Sequence, residues 1–218
     1  MYLVVDINNC NSTISSQKFF NFTNIYLYGI FFISHLKSNY FDTEGLSMTN
    51  LKFDPVHSSL EFSIRHLMVS KIKGTFNDYT VDVKGDLDDL SSMESVTTIN
   101  VDSIDTKNPE RDNHLKTADF FNAESHQQIT FRSKTITENK ITGDLTIAGQ
   151  TNEETFDFEQ HGVSDNPLSG GQVTGFTVTG TIDREKYGMN FNQALETGGV
   201  MLGKNVNFEF HGEFTIEG

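Results

Sequence analysis

An all-β domain, built as an antiparallel barrel or sandwich of about eight strands, is what this sequence predicts. Three observations predict it. Apolar and polar residues alternate with a period of two in run after run. The runs are rich in Thr, Val, Ile and Phe, which suit a pleated, half-buried surface. Short clusters of Gly, Asn and Asp separate the runs and supply turn geometry.

The first run is Val56–His66. Val56, Ser58, Leu60, Phe62, Ile64 and His66 fall on one face, and His57, Ser59, Glu61, Ser63 and Arg65 on the other. The acidic turn Asp86–Asp89 precedes Val96–Asp102, which places Ile99 and Val101 on one face. Asn108–Phe121 breaks the strand rhythm and reads as a helical turn region. Pro109 suits a first helical position, Glu110 and Asp112 favour a helix start, and Leu115, Ala118 and Phe121 can share a face.

Strands resume at Ile129–Arg132, carrying Phe131, and at Ile141–Ile147, carrying Leu145 and Ile147. Gly149–Asn152 turns into Thr155–Glu159, with Phe156 and Phe158, and Asp165–Gly171 turns into Val173–Ile182, with Phe176 and Val178. Asp183–Gly203 reads as a long loop with one short helix at Phe191–Leu195. Long loops in compact barrels often cover an opening, so this one is a candidate lid. Val206–Ile216, with Phe208 and Phe210, is the last strand.

The chain has 218 residues, 16 basic and 30 acidic, and a net charge of −14. Such a charge repels phosphate backbones and argues against nucleic-acid binding. The best apolar run, Ile25–Ile33, needs about twice its length to span a bilayer, which argues against stable membrane insertion. A single cysteine, Cys10, excludes an internal disulfide framework and a multi-cysteine zinc site. Nineteen Phe and six Tyr, with no Trp, are a large aromatic content for an acidic protein.

Composition changes at Met48. Residues 1–47 form an N-terminal extension with an Asn/Ser/Thr-rich head followed by Phe19–Phe22 and Ile25–Ile33. Only Lys18 precedes the apolar stretch and no Ala-x-Ala follows it, so it makes a poor secretory signal. The segment is expected to be disordered or to reflect a start assigned too early, with the patterned domain occupying residues 48–218. A cytoplasmic location is expected, with the periplasm or secretion as the alternative.

Chemical motifs are sparse. His35, His57, His66, His114, His126, His161 and His211 show no ligand spacing, so no metal site is expected. His66 shares the apolar face of its strand and is either structural or meets a ligand's polar end. His114, within Arg111–Lys116, is equally open. There is no Gly-x-Ser-x-Gly elbow, and Cys10 lies outside the domain. Gly170-Gly171 lacks the lysine of a phosphate loop, and Asp86–Asp89 lacks the glycine and distal glutamate of a calcium loop. No spacing picks out an acid–base couple, so no catalytic residue and no cofactor are expected. What remains is the apolar face, which either fills a dry core or lines a pocket.

One set of motifs is more specific. Phe53-Asp54, His57-Ser58, Leu60, Phe62, Ile64, His66-Leu67 and Val69-Ser70, followed by Gly74-x-Phe76, closely resemble the opening signature of the YceI-like family. The resemblance continues through Ser103–Thr106, Arg111-Asp112-x-His114-Leu115-Lys116 and Asp119–Phe121. It then takes in Phe131, Gly143–Ile147 with Gly149, Gly180-x-Ile182-x-Arg184-x-x-Tyr187-Gly188 and Val206. It covers Leu51 to Gly218.

The resemblance implies a lipocalin-like antiparallel β-barrel with one or two short helices, one of them closing an end. It implies that the interior binds an amphiphilic isoprenoid-type lipid, polyprenyl or quinone-like, which the protein carries or stores, often as a homodimer, with no established catalysis. The expected lipid-binding wall is Leu60, Phe62, Ile64 and Ile99, then Val101, Phe120, Phe131, Leu145 and Ile147, then Phe158, Phe176, Val178 and Phe208. His66, His114 and Arg184 are expected at the mouth, with Asn113 and Tyr187 as lesser choices. Phe53 stands where the family often has Trp. Two other readings stay open: a packed barrel serving as an interaction module, and an enzyme on a hydrophobic substrate with His66 and His114 as base and acid.

Overall fold

The computed structural model describes residues 49–168, 170–195 and 198–217. The expectations for residues 1–47, including those for Cys10, His35 and Ile25–Ile33, lie outside the described residues. Ten strands form one antiparallel sheet: β1 (Thr49–His66), β2 (Ser70–Phe76), β3 (Tyr79–Asp86), β4 (Asp89–Asn100), β5 (Ile104–Asp105), β6 (Gln128–Ile136), β7 (Lys140–Ile147), β8 (Gln150–Asp165), β9 (Gln172–Asp183) and β10 (Leu202–Glu217). The helix α1 spans Pro109–Leu115. Pairing runs β10-β9-β8-β7-β6-β4-β3-β1, and β1 pairs again with β10, so eight strands close into a barrel rather than a sandwich. The strands β2, β3 and β5 were not among the sequence-predicted runs.

One edge of β1 runs along β10. Its other edge changes partner. Thr49–Leu51 pair with β3, whereas Glu61–His66 pair with β2, which in turn carries β5. The barrel wall therefore parts between β1 and β3 towards the His66 end, where α1, a 3₁₀ turn (Val101–Ser103) and the 188–201 loop gather.

The alternation expected across Val56–His66 is interrupted at its start. Asp54 opposes Glu213 and Ser59 opposes His211, so β1 spends five residues where β10 spends two. The cause is local. The Asp54 carboxylate accepts hydrogen bonds from the backbone N–H groups of Val56 (2.8 Å) and His57 (3.3 Å), around Pro55. The Ser58 hydroxyl donates to the Asp54 carbonyl at 2.6 Å and accepts from the Glu213 N–H at 3.0 Å. Val56 is consequently 83% exposed, not inward. The surplus is odd, so the inward parity changes: Leu51 and Phe53 face the core before the bulge, Leu60 and Phe62 after it.

Three further expectations are corrected. Val101 ends no strand: β4 stops at Asn100, whose side chain accepts from the Asp102 N–H at 3.0 Å and starts the 3₁₀ turn. The helical turn region expected over Asn108–Phe121 is α1, capped by the Asn108 side chain on the Arg111 N–H at 3.0 Å, but Leu115, Ala118 and Phe121 do not share a buried face. Turns follow it, with Ala118 exposed. No helix forms at Phe191–Leu195. The Asn192 side-chain oxygen accepts from the Leu202 N–H (3.0 Å) and its amide donates to the Leu202 carbonyl (2.8 Å), holding the segment extended against β10. Ala194 makes a bridge to Val200.

Inside, phenylalanine rings lie over glycines. Gly180 of β9 opposes Phe208 of β10, and a Cβ there would fall 2.4 Å from Phe156 Cδ1 and 2.8 Å from Phe208 Cε1. The rings of Phe156 and Phe208 meet edge-to-face, 4.8 Å between centroids. Gly74 of β2 carries Phe62 in the same way.

Gly180→Val should therefore lower unfolding stability by about 1–3 kcal/mol through overpacking. Lys84→Gln, on the outer face, should stay within about 0.5 kcal/mol; urea denaturation measures both. A second prediction concerns the bulge. The Asp54 hydrogen bond raises the His57 imidazole above its ordinary 6.5, and the His57 hydrogen bond lowers the Asp54 carboxyl below its ordinary 3.8. The His57 contribution is fully present below pH 6.5 and is lost as pH rises through the raised value. The Asp54 contribution is present above 3.8 and is lost as pH falls through the lowered value. Asp54→Asn should flatten the fall in stability on the alkaline side of pH 6.5, read from denaturation midpoints across pH.

Candidate functional site

The barrel encloses a cavity of about 450 Å³. Its two ends differ. Around the starts of β1, β4, β7 and β9 and the ends of β3, β6 and β10 the wall is closed, with Val83, Met93, Ile136, Ile141, Phe176 and Phe214 all buried. At the opposite end the lining residues Ile64, His66, Ile72, His114, Phe191 and Met201 are only half-buried. That end is the mouth.

Strand alternation brings most of the expected residues to the cavity. Leu60, Phe62, Ile64 and His66 of β1 line the cavity, as do Ile99 of β4, Phe131 of β6, Leu145 and Ile147 of β7, and Phe158 of β8. Phe176 and Val178 of β9 and Phe208 of β10 complete it, with His114 and Phe120 near the helix and Arg184 just beyond β9. Val101 does not line it; it is 1% exposed and packs into the core from the 3₁₀ turn. Nor do Asn113, which is exposed, and Tyr187, which is buried with its hydroxyl donating to Glu154 at 3.2 Å. Burial pushes the Tyr187 phenol well up. Glu61, assigned to the outer face, is exposed but also borders the cavity.

Sequence reasoning missed Ile72 and Phe76 of β2, Val81 and Val83 of β3, and Arg111, Met189, Phe191 and Met201. The alternation Val81-x-Val83 was a readable signal. The loop residues had none, because their approach depends on how the 188–201 segment folds back.

Three aromatic rings close part of the mouth. His114 lies edge-to-face with Phe120 (5.2 Å) and with Phe191 (5.0 Å), and Phe120 is 5.3 Å from Phe191. The other side of the His114 ring is held by Asp119, Nε2 to Oδ2 at 2.9 Å. Of the segment expected as a candidate lid, Phe191–Leu195 are extended and Phe191 latches onto this ring cluster. His66 and His114 line the same cavity.

Arg184 is the most constrained polar group. Its side chain is 2% exposed, yet it borders an apolar space. Nε donates to the Gly203 carbonyl at 3.0 Å, and Nη1 donates to the Met189 carbonyl. Nη2 is buried and has no partner among the described residues. The adjacent carboxylates do not reach it: Asp183 and Glu185 turn to Lys204, at 2.8 and 3.8 Å. Burial pulls the guanidinium pKa below its ordinary value, but Arg stays charged. Arg111 differs, since Nε and Nη2 donate to the Thr106 hydroxyl and carbonyl at 2.7 and 2.6 Å.

Outside the cavity, the β1 bulge gathers Asp54, His57 and Glu213, with donor atoms within 4.8 Å of one another. Sequence spacing could not show this group, because Glu213 comes from β10. The His57 ring already uses Nδ1 on Asp54, at 2.9 Å.

A family model, the YceI-like domain, matches residues 51–214. A UPF0312 protein of Staphylococcus aureus strain bovine RF122 is 63% identical over 169 residues, 78% of this chain and 99% of its own length. A UPF0312 protein of Staphylococcus epidermidis is 59% identical over 170 residues, with the same coverage. Among solved structures, the Campylobacter jejuni YCEI protein is 31% identical with a TM-score of 0.60, over 71% of this chain and 90% of its own. Burkholderia cenocepacia BcnA, 23% identical, shares the fold with a TM-score of 0.63 over 74% of this chain and 99% of its own. So does a polyisoprenoid binding domain from Saccharophagus degradans, 12% identical with a TM-score of 0.53 over 79% of this chain and 99% of its own.

Phe191→Ala should release the latch. Limited proteolysis with mapped cut sites should show several-fold faster cleavage within residues 188–201. Global stability should fall by no more than about 1.5 kcal/mol per aromatic pair lost.

Proposed function

The chain belongs to the YceI-like domain family, and from that premise we propose that it binds an amphiphilic isoprenoid-type lipid, polyprenyl or quinone-like, inside the barrel and carries or stores it. The observation that carries this reading is the cavity itself: about 450 Å³ walled by phenylalanine and aliphatic side chains, closed at one end. Left as a void, it would cost on the order of 10 kcal/mol, at about 24 cal/mol per Å³. That equals the whole stability of a typical domain, roughly 5–15 kcal/mol. Water fills such a space poorly, because a buried water needs two to four polar partners and the deep wall has almost none. A hydrocarbon chain gains about 0.8 kcal/mol per buried CH₂ and needs no directed contact.

The Saccharophagus neighbour is described as a polyisoprenoid binding domain, which makes that chemistry the first to test. Arg184 narrows it further. A buried guanidinium with a free Nη2 favours a cargo whose polar end bears an oxygen acceptor, a phosphate or a carbonyl. An interaction module with a packed interior is disfavoured by the same cavity.

Native mass spectrometry of protein purified from its own cells, followed by organic extraction, tests the reading. The expected result is a stoichiometric bound mass that extracts as an isoprenoid or quinone. An unliganded mass together with no saturable uptake of a prenyl lipid would overturn it. Phe131→Asp should weaken uptake at least tenfold while Lys84→Gln leaves it unchanged. Arg184→Met should erase the preference for an oxygen-bearing prenyl lipid over a hydrocarbon of equal length.

A further inference from the structure

The hairpin joining β1 to β2 ends in three consecutive apolar residues. Leu67, Met68 and Val69 are 40%, 57% and 81% exposed. Local folding does not ask for them. Leu67 and Met68 have φ of 51° and 64°, the left-handed region that Asn-Gly would occupy with least strain in a two-residue hairpin turn.

This tip is joined to the cavity loop. The Leu67 N–H donates to the Met201 carbonyl at 2.7 Å, and Met68 Cγ lies 3.4 Å from where a Cβ would stand on Gly199. Val200, next along, is 38% exposed. The tip and the loop form one apolar lip, continuous with His66, Ile72, Met201 and Leu202 on the cavity wall.

Three cations flank the lip. Arg65, Lys71 and Lys73 are exposed, and among the described residues none of them forms an ion pair. Arg65 and Lys71 stand directly opposite each other in the ladder, an arrangement that destabilises a hairpin. In a chain with a net charge of −14, an unneutralised basic cluster around an apolar tip is a local reversal.

We propose that this hairpin docks the cavity mouth on an anionic phospholipid bilayer. Leu67, Met68, Val69 and Val200 enter the interface, while Arg65, Lys71 and Lys73 meet the headgroup phosphates. Cargo would then pass between bilayer and barrel without crossing bulk water, and in that respect the inference rests on the lipid-carrier reading. A second copy is the weaker occupant. A two-fold contact through this lip would bring both sets of cations together.

Co-flotation of the full chain with vesicles tests the proposal. Phosphatidylcholine vesicles are compared with vesicles of phosphatidylcholine and phosphatidylglycerol, at low and high salt. Binding should be at least tenfold stronger to the anionic vesicles at low salt and should weaken with salt. Val69→Asp, and separately Lys71→Glu with Lys73→Glu, should each lower it at least tenfold. Both variants should still take up a detergent-dispersed prenyl lipid, which reports an intact barrel. No flotation of the parent protein, equal flotation on both vesicles, or variants that float like the parent would each overturn the docking surface. So would a change in oligomeric state caused by Val69→Asp without any vesicle binding, which would assign the lip to a contact between copies. Vesicle docking without prenyl uptake would uphold the docking surface and sink the carrier reading; uptake without docking would do the reverse.

Discussion

Everything in the barrel depends on the ladder between its first and last strands. Without the β1–β10 pairing the sheet would be an open ribbon with two long unpaired edges and a Phe-rich face towards water. With it, the same face is wrapped into an interior. Closure alone does not make the interior hollow. That follows from the opposite edge of β1, which leaves β3 after Leu51 and takes up β2 from Glu61. The wall parts where the partner changes, and a capped helix and an extended loop, rather than a strand, cover the opening.

Glycines decide how the interior is divided. Where Gly180 and Gly74 stand opposite Phe208 and Phe62, the missing Cβ leaves room for those rings to meet Phe156 and Phe76. Size complementarity across a strand pair thus lets large rings share the interior at close-packed distances.

Much of this was legible in the sequence. Period-two alternation marked the inward residues of β1, β6, β7, β9 and β10, and the ordered motifs marked the family. What failed did so for identifiable reasons. Alternation assumes an unbroken ladder, so the Asp54–Ser58 bulge defeated it at Val56. Val101 kept the right parity but lost its strand to an Asn100 cap, a competition between side chain and backbone that spacing alone cannot judge. Phe191–Leu195 has a helix-compatible composition, yet Asn192 bonds to Leu202, ten residues away, and holds it extended. The unpartnered Nη2 of Arg184 was out of reach, because both neighbouring carboxylates pair with Lys204 instead.

The unpartnered Nη2 of Arg184 bears on folding as well. Any molecule that gives Nη2 an acceptor binds the folded chain and not the unfolded one, so it shifts the folding equilibrium by mass action. Under the proposed function, the amount of intact protein in a cell would then follow the supply of that molecule. Where the supply failed, the fraction exposed to proteases would rise and the population of empty barrels would thin itself. A carrier stabilised by its proposed cargo in this way would need no separate sensor to match its abundance to what there is to hold.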